Sequence, residues 1–294
     1  MNFDNKKSMQ IITTKAELER SVQACRMNGQ TIGLVPTMGA LHAGHASLVR
    51  RCVSENDVTV VSVFVNPTQF NNKEDLKTYP RSLERDAELL ERIGANLVFA
   101  PTPEEMYTAE EMNEPFRFDF GGLDTMMEGA MRPGHFNGVV QIVSRLFYLV
   151  RPNRAYFGEK DFQQLAIIHY MVERSAMAGT FGALQIIDCP IVREESGLAL
   201  SSRNERLSAA EKQTALAISR TLFASIEWAK QPNSTVQEVQ QRVIDTINRV
   251  TGLEVEYYQI VDQTTLLPAN TFHHAIGCVT VYCGAVRLID NIKY

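Results

Sequence analysis

Several marks of specialised protein classes are missing from this sequence. It has five cysteines (Cys25, Cys52, Cys189, Cys278 and Cys283), and no two form a CxxC pair. Cys278 and Cys283 stand five apart in an expected strand, where alternation points them to opposite faces. Neither a disulfide framework nor a zinc knuckle fits, and reduced thiols are expected. No apolar run approaches the ~18 residues of a membrane span. The most apolar stretch, Val58 to Val65, has the length of a strand and contains Thr59 and Ser62. There is no basic excess: 29 Lys and Arg against 34 Asp and Glu give a formal net charge of −5. That balance argues against nucleic acid as the main ligand. The opening MNFDNKKSMQ lacks an apolar signal core, so a cytoplasmic location is expected. What remains is an ordinary globular composition, 45% hydrophobic and 21% charged over 294 residues, enough for one or two domains.

Periodicity organises the chain. Residues 1–8 read as a polar tail, and Thr14 to Arg26 reads as a helix. A βαβ unit follows: a strand at Thr31–Thr37, a Gly-rich turn, a helix from about His45 to Glu55, and a strand at Val58–Asn66. Both strands are nearly continuous apolar runs, as in parallel sheets covered on both faces. A helix with Ser82 as N-cap and Leu83, Ala87, Leu90 and Ile93 as its stripe stops at Gly94, before a strand at Asn96–Ala100. The Gly- and Met-rich stretch Gly121–Gly138 precedes a helix at Val139–Val150, a strand at Arg154–Phe157, a helix from Phe162 to about Ala178 and a strand at Leu184–Asp188. The alternation predicts an α/β fold, a doubly wound parallel (Rossmann-like) sheet domain over residues 1–188. Beyond Pro190, Ser208–Glu211 and Ser234–Gln237 have capping-box spacing, and strands are expected at Glu254–Asp262, Gly277–Cys283 and Ala285–Asp290. Residues 189–294 are therefore expected to form a smaller α+β C-terminal domain.

Open parallel sheets bind ligands beyond the C-terminal ends of their strands, which directs attention to the turn after Thr37 and the segment after Asn66. The turn reads Met38, Gly39, Ala40, Leu41, His42, Ala43, Gly44, His45. Helix-start amides with the positive dipole end suit a phosphate, the glycines let the main chain approach it, and two imidazoles add donors. Without a carboxylate or third His nearby, zinc is a poor reading. Lys160, in Gly158-Glu159-Lys160-Asp161, stands at a helix start, where its charge opposes the dipole unless an anion is present. Asp161 could cap that helix, bind ribose or pair with the lysine. Gln69 and Gln164 can donate and accept hydrogen bonds around a carboxylate and hydroxyls. Arg132 and His135 suit either substrate binding or a structural loop at a dimer interface. Asp86 and Glu88 suit either Mg²⁺ or the helix dipole, and Met126, Met127 and Met131 read as packing.

The His-x-Gly-His turn resembles that of the nucleotidylyltransferase superfamily. The longer PTMGALHAGH, with VNPTQF (Val65–Phe70), RPGHFNGV (Arg132–Val139), FGEKDFQQL (Phe157–Leu165) and LSSRN (Leu200–Asn204), is similar to the pantothenate synthetase family from residue 9 to the C-terminus. The resemblance implies condensation of pantoate with β-alanine by ATP and Mg²⁺ through a pantoyl adenylate, in a homodimer. It implies that His45, His42, Lys160 and Arg203 act in catalysis. ATP would lie on Met38 to His45, Gly158 to Asp161, Val192, Leu200, Ser201, Ser202 and Arg203, and pantoate on Gln69 and Gln164, with β-alanine also near Gln69. The alternatives are a nucleotidylyltransferase that leaves its nucleotide on the product, which product analysis separates, and a non-catalytic nucleotide-binding or tRNA-contacting module, which equilibrium binding with a pyrophosphate-release assay separates.

Overall fold

Why a parallel sheet forms is visible in its central strands, which are buried along almost their whole length. The computed structural model describes residues 8–71, 73–114, 116–174, 181 and 183–294. In chain order its elements are β1 (Gln10–Ile12), α1 (Lys15–Met27), β2 (Ile32–Thr37), α2 (Ala43–Glu55), β3 (Val58–Val63), α3 (Lys73–Thr78), α4 (Leu83–Ile93), β4 (Leu97–Phe99), α5 (Pro103–Met106), α6 (Ala109–Asn113), α7 (Met127–Met131) and α8 (His135–Val150). There follow β5 (Arg154–Gly158), α9 (Phe162–Arg174), β6 (Gln185–Cys189), α10 (Ala209–Ala229), α11 (Val236–Asn248), β7 (Leu253–Asp262), β8 (Ala275–Cys283) and β9 (Val286–Lys293).

The chain divides into two compact units. The first comprises residues 1–120, 132–157 and 167–189, and the second residues 121–131, 158–166 and 190–294. The first unit holds a six-stranded sheet of order β1-β4-β3-β2-β5-β6, in which β1/β4, β4/β3, β3/β2 and β2/β5 pair in parallel. Helices α2 and α4 seal one face through Leu48, Val49, Cys52 and Leu90 against Val35, Val61 and Val98. Helices α1 and α8 pack together on β2. The order runs one way from β2 to β3 and β4 and the other way to β5, so β2 ends at a topological switch point. Loops at such a point diverge and leave a crevice.

The second unit is a three-stranded antiparallel sheet, β7-β8-β9. Helices α10 and α11 bury Leu216, Leu222, Val239, Val243 and Ile247 together with Val279, Val281 and Cys283. Met127, with Met126 and Phe162 beside it, clusters with Val261, Ile276 and Cys278. Cys278 and Cys283 thus fall in different clusters, as alternation requires. Arg287 binds α7 to the sheet. It makes two hydrogen bonds of 2.8 Å to Glu128 and also pairs with Glu256, while Tyr257 and Thr280 each donate to Glu128 at 2.9 Å. Burial alone would lower the Arg287 pKa, but the two carboxylates outweigh it and raise it.

The structure corrects several boundaries. Helix α2 starts at Ala43 and α8 at His135, earlier than apolar periodicity suggests, because their first turns carry His and Gly in place of a large-aliphatic stripe. The cap of α11 is Thr235 with Glu238, one residue beyond the expected pair. Ser82 occupies the N-cap position of α4 but its side chain makes no cap hydrogen bond. Met131 is 47% exposed, so it is not packing. The expected tail over residues 1–7 and the helix end at 175–178 lie outside the described residues. Among the described residues no helix is long and apolar enough to cross a membrane.

Candidate active site

In the first unit the turn after β2 is built by a carboxylate from a distant helix. Asp86 of α4, 1% exposed, accepts hydrogen bonds from the Ala40 N–H at 2.9 Å and the Leu41 N–H at 2.8 Å. These bonds fold the chain back sharply: Gly39 has φ +79° and Ala40 φ +49°. A Cβ on Gly39 would stand 3.0 Å from Asp86 Oδ2 and 3.1 Å from Val63. Glycine is required here by conformation and by space. Thr37 Oγ1 donates to the Ser62 carbonyl at 2.6 Å, tying the base of the turn to β3.

The turn ends in an imidazole cap. His42 is the N-cap of α2, and its Nδ1 accepts the Gly44 N–H at 3.1 Å; His45 Nδ1 accepts the His42 N–H at 3.4 Å. The two rings lie 4.1 Å apart, tilted by 38°. An Nδ1 that accepts carries no proton, so this network assigns the proton of both neutral rings to Nε2. Each ring can then offer an Nε2–H while its other nitrogen orders the backbone. No acidic residue occupies the first turn of α2, so the cap itself sets no carboxylate against the positive dipole end.

Gln69 belongs to the same unit and meets this turn directly. Its Nε2 donates to Met38 Sδ at 3.0 Å, and its Oε1 accepts from Asn66 Nδ2 at 3.2 Å. Asn66 also donates to the Gly138 carbonyl at 3.0 Å and accepts from the Tyr107 hydroxyl at 2.8 Å. Burial, the largest influence on Tyr107, pushes its pKa up to about 12, so the phenol remains a donor. His135 Nδ1 lies 2.7 Å from the Gln69 carbonyl and Arg132 3.2 Å from His135 Nε2. His135 therefore fixes the backbone that carries Gln69. A Cβ on Gly138 would meet Thr68 and Gln69 backbone atoms at 2.5 and 2.6 Å, so α8 is pressed against this segment.

The remaining predicted residues lie in the second unit. Gly158 ends β5, Glu159–Asp161 form a 3-10 turn, and α9 follows. Among the described residues the Lys160 ammonium has no hydrogen-bond or ion-pair partner, whereas the Glu159 carboxylate pairs with Lys293 at 2.8 Å. Asp161 is exposed, and Gln164 is half-buried in the first turn of α9. Its neighbour Gln163 is the structural one, donating to Leu123 and Met126 carbonyls at 2.7 and 2.9 Å. Residues 192–200 form a small hairpin. The Val192 carbonyl accepts the Leu200 N–H at 3.1 Å, and Gly197 has φ +96°. Ser201 then caps a 3-10 turn, Ser202–Arg206, through the Arg203 N–H at 3.3 Å. Within this turn Asn204 Oδ1 is the one buried side-chain polar atom without a hydrogen bond among the described residues.

Sequence reasoning missed Asp86 as the builder of the turn, Asn66 as the holder of Gln69, and His135 as a backbone clamp. The first left only one signal, an acid within an otherwise apolar helix stripe. As for metal, both Asp86 oxygens are engaged by amides, and no cluster of three His, Cys, Asp or Glu residues among those described could hold an ion. Burial pushes the Cys52 and Cys278 thiols up to about 12, which keeps both protonated near neutral pH.

Comparison with known proteins identifies the family. The pantoate-beta-alanine ligase family matches residues 10–293. The pantothenate synthetase of Phocaeicola vulgatus is 58% identical over 97% of this chain and 99% of that protein, and the one from Bacteroides thetaiotaomicron is 57% identical over the same shares. The crystal structure of pantothenate synthetase from Thermus thermophilus superposes with a TM-score of 0.87 at 43% identity, covering 97% of this chain and 99% of that one. The Francisella tularensis pantoate-beta-alanine ligase, crystallised with beta-gamma ATP and beta-alanine, gives 0.78 at 35% identity over 97% and 98%. Sheet order, imidazole-capped turn and full-length similarity lead to one assignment: this chain belongs to the pantoate-beta-alanine ligase family and is a ligase of pantothenate biosynthesis.

Proposed function

We propose that this ligase condenses pantoate with β-alanine at the expense of ATP in two steps. In the first, a pantoate carboxylate oxygen attacks the α-phosphorus of ATP. The bond from that phosphorus to the oxygen bridging the β-phosphate breaks, and pyrophosphate leaves. In the second, the neutral amine of β-alanine attacks the acyl carbon of pantoyl adenylate. The acyl–oxygen bond breaks, AMP departs, and the nitrogen loses one proton. No protein nucleophile is needed, because the carboxylate already is one. Alignment and stabilisation of phosphoryl charge supply the catalysis.

The observation that carries this reading is the α2 cap, a helix start with no acidic residue in its first turn and with two imidazole Nε2–H donors. His45 and His42 would stabilise charge growing on the α-phosphate, with Met38, Gly39, Ala40, Leu41, Ala43 and Gly44 lining the ATP site. Lys160 and Arg203 would hold phosphates, with Gly158, Glu159, Asp161, Leu200, Ser201 and Ser202 around them and the Val192 backbone on adenine. Gln69 and Gln164 would orient pantoate. The Gln69 carboxamide, fixed by Asn66, does so without the tight ion pair that an arginine would form. Mg²⁺ would arrive as the counter-ion of ATP, held by phosphate oxygens. The reading includes a homodimer and a reducing, cytoplasmic setting.

The test uses purified enzyme with ATP and pantoate. Pyrophosphate and an enzyme-bound acyl adenylate should appear before β-alanine is added, and AMP and pantothenate after it. Formation of ADP, or a stable nucleotide-linked product with β-alanine unconsumed, would overturn the reading. Sedimentation of the same sample tests the dimer.

A further inference from the structure

The last strand holds the segment that carries Lys160. The Asn291 side chain of β9, 4% exposed, donates from Nδ2 to the Glu159 carbonyl at 2.8 Å and to the Lys160 carbonyl at 3.0 Å. Two residues on, Lys293 pairs with the Glu159 carboxylate. Asn291 is itself fixed: its N–H donates to Asp290 Oδ1 at 2.8 Å, and its carbonyl accepts from Arg193 at 3.2 Å. Arg193 grips Asp290 with two bonds of 2.7 and 2.8 Å and donates to the Gly197 carbonyl at 3.2 Å, inside the hairpin that runs into Ser201–Arg203. Asp290 and Asn291 thus bind two segments, the turn at Lys160 and the hairpin before the Ser201 turn, to a single strand.

We infer that Asn291 is a positioning residue: its carboxamide fixes the 3-10 turn that aims Lys160 and, through Asp290 and Arg193, holds that turn in register with the hairpin leading to Ser201–Arg203. The inference rests on the proposed role of Lys160 at the ATP phosphates. The physical reason is geometric. A flexible ammonium reaches a moving phosphate from a defined place only if its own backbone does not wander, and the turn 159–161 is too short to stabilise itself. Two carbonyls pinned by one buried amide remove that freedom. Displacing a charge-stabilising group by about an ångström can cost ~10²-fold in rate.

The experiment is a double-mutant cycle on the full-length enzyme with Asn291→Ala and Lys160→Ala, reading kcat and KM for ATP by pyrophosphate release, with melting temperature alongside. Asn291→Ala should lower kcat/KM for ATP by ~10–10²-fold. In the Lys160→Ala background it should change the rate by no more than about twofold, because its effect is exerted through the missing ammonium. Asn291→Asp, which keeps the shape and removes the donors, should reproduce the loss. Asn291→Ser supplies the same cycle if the alanine variant does not fold. Full multiplication of the two effects, or a loss confined to the fraction of folded enzyme with KM unchanged, would overturn the inference. Undiminished turnover in Lys160→Ala alone would overturn the underlying assignment of Lys160, and this inference with it.

Discussion

Among the described residues, four helices begin with the same reciprocal cap, yet one is made of different chemistry. At α6, α10 and α11 a hydroxyl (Thr108, Ser208, Thr235) accepts the N3 amide while a glutamate (Glu111, Glu211, Glu238) reaches back to the cap. At α2 both places are taken by imidazoles. In the first three, a carboxylate lies against the positive dipole end and the helix start is electrostatically complete. At α2 the cap itself brings no carboxylate, a start that suits an arriving anion. The Asp86 carboxylate is spent on the amides of Ala40 and Leu41, where it shapes the turn ahead of the cap. The structural caps and the cap proposed to meet phosphate thus share geometry and differ in charge.

Making α2 resemble the others is the most severe way to break that comparison. His45→Glu should keep or slightly raise the melting temperature, since an acid at N3 favours a helix start by about 0.3–1 kcal/mol. Adenylate formation should fall by ~10²–10³-fold or more, because one stabilising donor is lost and a like charge faces the phosphate. His45→Ala should lose activity on the same scale without the gain in stability. Pyrophosphate release and thermal melting read both, and near-normal turnover in either variant removes His45 from the mechanism.

The next effect sharpens the division between shaping and binding. Asp86→Asn should lose much activity with the imidazoles untouched, for its amide cannot accept from both Ala40 and Leu41. Charge-assisted hydrogen bonds contribute about 1.5–3 kcal/mol each, so unfolding in denaturant should show a deficit of a few kcal/mol. Turnover should drop ~10–10²-fold as the turn relaxes. Added Mg²⁺ should restore nothing; recovery by metal would make Asp86 a ligand rather than a turn builder. Gly39→Ala acts on the same bonds from the other side and should cost less, about 1–2 kcal/mol for the left-handed conformation plus the contact with Asp86. Denaturant midpoints of the two variants rank them.

These residues also show how far the sequence could be read. Parallel strands and the switch-point turn with its helix-start imidazoles were legible because apolar runs, glycines and helix starts are local signals. Asp86 was not, since its partners lie 45 and 46 residues upstream, and from periodicity alone an acid in the first turn of α4 reads as a dipole partner. His135 and Asn291 escaped for the same reason, acting on carbonyls 66 and 132 residues away. The start of α2 was missed because histidine is not among the usual N-cap residues. The cap of α11 slipped by one because Ser234 and Thr235 are adjacent hydroxyls, and only the structure shows which one Glu238 meets.

The smallest effect tests the structural side of the comparison. Hydrogen bonding from the Thr235 side chain, and then from its backbone, holds the Glu238 carboxyl below its ordinary 4.5. A group whose pKa is lowered by folding contributes stability that is complete above the unfolded value. That stability disappears as pH falls through the lower folded value. Glu238→Gln keeps an acceptor but has no charge to lose, so it should melt slightly below the parent near neutrality, and the gap should close once the pH drops well below 4.5. The first turn of α2 contains no carboxylate, so replacing His45 by Gln should create no difference that closes in that acid window. Melting curves of both variants across the same pH series decide the matter: a Glu238 gap that persists in acid would mean that its cap works by shape alone, and the contrast in charge between the two kinds of helix start would lose its structural half.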